Sequence, residues 1–187
     1  MPRLLLLCVF ALSCLLGAAQ NTHLKFQGIP IDGPLIEFEQ KLADKGYYPD
    51  STYNQTDEAT DNRLYHGQFA GADCEVYITF TPQNQNVYLV TVVFKSSTED
   101  NMLAFYNQMK SSLSEGYPKA FLEYDTYEGY EACTFYIRRY SSDTAMVWKR
   151  CYGSIGVACY KADDIYNVFL DFTDQKNGDL HQKMQNE

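Results

Sequence analysis

Few side chains in this sequence could do chemistry by type, and their spacing limits them further. The chain carries six cysteines, three histidines and sixteen tyrosines. A cysteine nucleophile needs a base beside it to raise its thiolate fraction. The histidines, His23, His66 and His181, are scattered. Only His66 lies inside a strand-like run, beside Tyr65 and Gly67, where it reads as a surface imidazole. No local pattern sets a cysteine next to it. No Cys-x-x-Cys spacing occurs, so neither a zinc site nor a thioredoxin-type redox pair is expected. Asp163-Asp164 could be half of a carboxylate pair or a calcium ligand by type. Between two strand-like runs the pair reads as a polar turn. Asp57-Glu58-Asp61 and Glu99-Asp100 read as loop solvation and helix capping. The nucleophile-elbow, zinc-protease, dinucleotide and P-loop motifs are missing. The sequence assigns no catalytic, cofactor-binding or metal-ligating residue.

Tyrosine is the remaining signal. Tyr124, Tyr127, Tyr130, Tyr136, Tyr140, Tyr152, Tyr160 and Tyr166 crowd the second half, against one tryptophan, Trp148. Strands favour aromatics, so core packing accounts for many of them. Tyrosine is also a good contact residue, with large area, few rotors and a polar tip. On the run Cys133–Tyr140, residues Thr134, Tyr136, Arg138 and Tyr140 share the face opposite Cys133, Phe135 and Ile137. That strip is the candidate binding face, for a protein or a glycan.

The elements that position these residues begin after a leader. Arg3, the apolar run Leu4–Leu16 and the small residues Gly17-Ala18-Ala19 have the pattern of a secretory signal peptide cleaved near Ala19. The run is shorter than the ~20 residues a spanning helix needs. The expected product is periplasmic or secreted, with no integral membrane segment after cleavage. Ala11-Leu12-Ser13-Cys14 loosely resembles a lipoprotein cleavage box. It lacks the usual leucine three residues before the cysteine, so a lipid anchor at Cys14 is not expected. The sequence carries 24 acidic and 15 basic residues, and losing Arg3 takes its charge one unit below −9. Such a domain repels nucleic acid and anionic membrane. Cys8 and Cys14 leave with the leader. Cys74, Cys133, Cys151 and Cys159 remain as candidate disulfide cysteines, with three connectivities open. Cys151 and Cys159 flank an expected turn; Cys133 and Cys151 are an alternative pair if their strands are neighbours. Burial as small apolar residues is the competing reading.

Two helices and several strands are expected. Asp32-Gly33-Pro34 starts the first helix, whose stripe is Leu35, Phe38 and Leu42, and Gly46 ends it. Ser97-Thr98-Glu99-Asp100 starts the second, and Gly116 terminates it. Alternation marks strands at 64–69, 74–81, 87–95, 121–126, 133–140, 145–152, 155–161 and 165–172. Helix, Gly-Tyr, then strands occurs twice, with Gly46-Tyr47 matching Gly116-Tyr117, Gly71 matching Gly129 and Cys74 matching Cys133. The expected fold is therefore α+β: two tandem helix-then-antiparallel-strands units, helices packed on one face of the sheet. Residues 20–96 form the first unit, 97–175 the second, and 176–187 a fraying polar tail.

The stretch His23 to Gly33, with Phe26-Gln27-Gly28-Ile29-Pro30-Ile31-Asp32-Gly33 at its centre, resembles the start of a group of small exported proteins of gut Bacteroidota. Lys45-Gly46-Tyr47, Gly67-Gln68-Phe69-Ala70-Gly71, Cys74, Tyr106, Lys110 and Gly116-Tyr117-Pro118 extend the likeness over most of the mature chain. That group brings no active site with it. The alternating units also resemble, at fold level alone, the tandem repeats of β-lactamase inhibitory proteins and related outer-membrane assembly lipoproteins. The phylum implies O-glycosylation at Asp-Ser/Thr followed by a small or apolar residue; Asp50-Ser51-Thr52 and Asp143-Thr144-Ala145 fit, though a three-residue match is cheap and an ordinary turn is the preferred reading of each. The function expected is an exported, non-enzymatic binding or interaction module for a protein or surface glycan, with no cofactor. The alternatives are a small periplasmic hydrolase or an envelope assembly factor.

Overall fold

A computed structural model describes residues 23–56, 60–138 and 151–185. The leader expected at 1–19 lies outside them. The described residues open with a two-stranded ribbon, β1 (Lys25–Phe26) and β2 (Ile29–Pro30), then helix α1 (Leu35–Ala43). Short strand β3 (Tyr48–Pro49) and a 3-10 turn (Tyr53–Gln55) lead to β4 (Asn62–Phe69), β5 (Ala72–Phe80) and β6 (Val87–Ser96). Helix α2 (Glu99–Gly116) follows, then β7 (Phe121–Tyr127), β8 (Tyr130–Arg138), β9 (Cys151–Ala162) and β10 (Ile165–Asp174), and helix α3 (Gln175–Gln185).

Period-two alternation builds the sheet. On β5, Cys74, Val76, Ile78 and Phe80 are buried while Asp73, Glu75, Tyr77 and Thr79 are not. Val90, Val92 and Phe94 on β6 and Val168, Leu170 and Phe172 on β10 continue the buried side. Helix α1 turns Leu35, Phe38 and Leu42 to this core. Helix α2 adds Met102, Tyr106 and Met109, with the Thr98 hydroxyl accepting from the Asn101 N–H at its start. Tight two-residue turns, Ala70-Gly71 and Glu128-Gly129, have positive φ at both residues, the twist that antiparallel hairpins prefer.

All eight longer and shorter strands after the ribbon lie in one antiparallel sheet, ordered β3-β4-β5-β6-β10-β9-β8-β7. This overturns the α+β expectation of two tandem helix-then-strands units. The fold is mostly β, with 49% of the described residues in strands and 28% in helices. Strands β6 and β10 pair from Ser96–Tyr166 to Leu89–Thr173 in the middle of the sheet. That pairing satisfies backbone groups that two separate sheets would leave at their edges, and it merges everything beneath into one core. The ribbon shares this core through Phe26, which stacks on Phe69 and meets Phe172 edge-on.

The tail expected to fray is α3. Its Asn177 is buried, and its side-chain amide donates to the carbonyls of Ile31 (3.1 Å) and Val87 (2.9 Å). Asp174, wholly buried, accepts from the N–H groups of Leu24 (2.9 Å) and Asn177 (3.0 Å), and so ties the first described residues to the last strand. The turn expected between residues 152 and 155 is also absent: β9 runs straight through it. Gly153 there is a point of close approach. A Cβ on it would stand 2.7 Å from the Thr173 carbonyl oxygen and 2.8 Å from the Leu24 Cβ.

Candidate functional site

The sheet has two faces; α1 and α2 cover one, and α3 packs at the end of the sheet by Thr173 and Tyr88. The other face is best read as cross-strand rows, because directly opposed residues in an antiparallel pair point the same way. One row runs Tyr48, His66, Glu75, Val93, Phe169, Ala158 from β3 to β9. The next runs Leu64, Tyr77, Thr91, Asp171, Gly156, Thr134, Glu123 from β4 to β7. A third ends Ser154, Tyr136, Phe121. Thr134 and Tyr136 of the expected strip thus lie on the helix-free face, both half-buried. Tyr136 donates its hydroxyl to Glu123 at 2.9 Å and packs against Phe121. Arg138 closes β8, and Tyr140 lies outside the described residues.

At the β3–β6 end the rows enclose an open concavity of about 710 Å³. Its wall carries Lys45, Tyr48, His66, Asp73, Glu75 and Lys95. Lys95 and Glu75 form an ion pair across the strands. Tyr48 is 62% exposed and lies over the His66 imidazole, ring centres 5.6 Å apart. Behind the wall, Gly67 lets the buried Tyr47 ring lie flat on β4: a Cβ there would be 2.3 Å from the ring. A second hollow of about 520 Å³ shares Glu75, Val93 and Lys95 and extends to Tyr77, Tyr160 and Asn167. Tyr160, Phe169 and Tyr127 make edge-to-face contacts beyond it, centroids 5.4–6.4 Å apart.

Asp50 anchors the His66 side. Its carboxylate lies 2.9 Å from His66 Nε2 and accepts from the N–H groups of Thr52 and Tyr53. The histidine bond, then the Tyr53 N–H, hold its pKa below the usual carboxylate value. The Asp50-Ser51-Thr52 match is therefore a hydrogen-bonded turn that starts the 3-10 segment. Asp143-Thr144-Ala145 lies outside the described residues. Asp171, in the middle of the face, is different. Burial raises its pKa, and the Thr91 hydroxyl, donating at 2.5 Å, offsets this only in part.

The cysteines cannot act as nucleophiles beside His66. Cys74 is on the neighbouring strand but points to the helix side, where its thiol lies 3.6 Å from the Gly67 carbonyl. Burial pushes that thiol up to about 12 and Cys159 to about 11, and it raises Cys133 and Cys151 as well. None of the four is in a disulfide, and for the two expected pairs the register shows why. Cys151 and Cys159 lie on one strand, eight residues and about 26 Å apart. Cys133 is opposite Val157, six residues and about 20 Å along from Cys151. Bridging needs Cα atoms within about 7 Å. Among the described residues no group of three or more His, Cys, Asp or Glu is arranged to hold a metal ion. Nor is any helix among them long and apolar enough to cross a membrane. The rows, the concavity and the partial burial of Asp171 were not visible in the sequence, since each depends on strands distant in the chain. The alternation of Glu75 and Tyr77 with buried neighbours was the one available sign. No protein-family profile, curated protein or solved structure matches this chain.

Proposed function

We propose that the protein is an exported, non-enzymatic binding module that engages a protein or a surface glycan through the helix-free face of its sheet. The observation that carries this reading is the open concavity with an exposed aromatic, Tyr48, set among paired charges. Aromatic rings supply contact area at low entropic cost, and fixed polar groups around them give orientation. The acidic charge favours a protein or neutral sugar over nucleic acid or an anionic surface. The test is binding of the purified protein to arrayed surface glycans and to envelope extract, beside Tyr48→Ala and the helix-side control Leu103→Ala. Loss of a bound species in Tyr48→Ala alone supports the reading. Equal capture by all three, or by none, counts against it.

The Asp50–His66 pair favours one second reading, a small hydrolase in which a carboxylate orients an imidazole base. Turnover of ester or glycoside substrates that disappears in His66→Ala would establish it.

A further inference from the structure

The two edges of the sheet are finished differently. At one, β3 is two residues long and ends in Pro49. Beyond it, Asn54 completes the β4 edge by donating to the Leu64 carbonyl (3.0 Å) and accepting its N–H (2.8 Å), while the Asp50 N–H takes the same carbonyl. At the other edge stands β7. It pairs with β8 in unbroken register from Phe121 to Tyr127, and no described strand pairs with its outer side. Six of its seven residues are exposed, among them Phe121, Tyr124 and Tyr127. It has no lysine, no proline and no bulge; of the usual means of blunting an edge it carries charge alone, at Glu123 and Asp125. The Thr126 N–H donates to the carboxylate of the preceding Asp125, at 2.7 Å, a local substitute for a partner carbonyl.

Its charge selects the occupant. In an antiparallel pair of two such edges centred on Tyr124, Glu123 of each copy faces Asp125 of the other. Shifting the register by two residues sets Glu123 against Glu123, or Asp125 against Asp125. Like charges directly opposed destabilise a pair, so a second copy is a poor neighbour and lysine or arginine at alternate positions a good one. We propose that β7 docks an extended, basic segment of a partner protein, which adds to the sheet as a ninth strand. Main-chain bonds hold it, and Glu123 and Asp125 read its charge. This inference concerns the edge rather than the face and stands without the reading above.

The experiment titrates the purified protein with an acetylated peptide of β7's length alternating threonine with lysine, and with its glutamate counterpart. Amide hydrogen exchange is followed by NMR, beside sedimentation without peptide. The lysine peptide should bind at least about tenfold more tightly than the glutamate peptide, more weakly at high salt, and slow exchange at Thr126 and its neighbours on β7. Glu123→Lys/Asp125→Lys should reverse the preference. Thr126→Pro, which removes one edge donor while keeping the charges, should abolish binding; its circular dichroism checks the fold. Equal affinity for both peptides, protection confined to the concavity, or self-association through β7 without peptide would each overturn the proposal.

Discussion

Strand β5 shows the two faces side by side. Val76, Ile78 and Phe80 are sealed under helices and ribbon, while Glu75, Tyr77 and Thr79 between them look onto the helix-free side. The same backbone therefore serves stability on one side and contact on the other. On the covered side the buried Asp174 and Asn177 both have hydrogen-bond partners. On the free side charge is kept at a cost. Asp171 is held in the middle of that face with its pKa raised, a position that an uncharged residue would fill with less strain on stability.

The comparison breaks most clearly at the covered face. Ile78→Ala should lower unfolding stability by about 2–5 kcal/mol in denaturant titration, from lost burial and the cavity left behind. Glu75→Gln, on the other face of the same strand, should cost no more than about 1 kcal/mol, because the Lys95 end of its pair is half exposed and the amide oxygen can still accept from Lys95 and Tyr77. Similar losses for the two would mean that the faces do not differ as described. Gly153→Ala should cost about 1–3 kcal/mol, since its Cβ meets a backbone carbonyl that has no room to yield.

Two carboxylates on the free side should respond to pH in opposite senses. Asp171 binds its proton more tightly when folded, so its contribution to stability falls as pH rises from the usual carboxylate value through its raised one. Asp171→Asn should therefore be more stable than the parent at pH 7, with the gap closing by pH 3 in thermal melts. The sign is reversed at Asp50. Its folded pKa is depressed, so its contribution is present above the usual value of 3.8 and is lost as pH falls below it. Asp50→Asn should lose stability relative to the parent only at the higher pH, and least of all these changes, because the carboxylate stays partly open to water.

Much of this could be read from one dimension. The stripe Leu35, Phe38, Leu42 marked α1, Thr98 with Glu99 and Asp100 marked the start of α2, and alternation placed β5, β6 and β10 within a few residues. Errors arose where a residue answers to a distant partner. Gly153 resembled a turn because glycine breaks a pattern in either role; the Leu24 segment crossing over it makes it part of β9. Residues 176–187 looked loose because their composition is polar, yet Asn177 finds two backbone carbonyls far along the chain. Period two alone puts Thr134 and Tyr136 on the side of β8 opposite Cys133 and Phe135. Tyr48, His66 and Glu75 could not be grouped, since they lie on three strands.

Sequence by itself determined the local conformations and which side of each strand is apolar, because helix caps, turns and alternation act over a few residues. Tertiary structure alone decided that β6 pairs with β10, and so that one mostly β sheet stands where two units were expected. It also decided which polar rows meet to form a concavity and which edge has no described strand beside it. Register and strand order are choices among many pairings with the same local pattern, and only the packing of the whole core selects one of them.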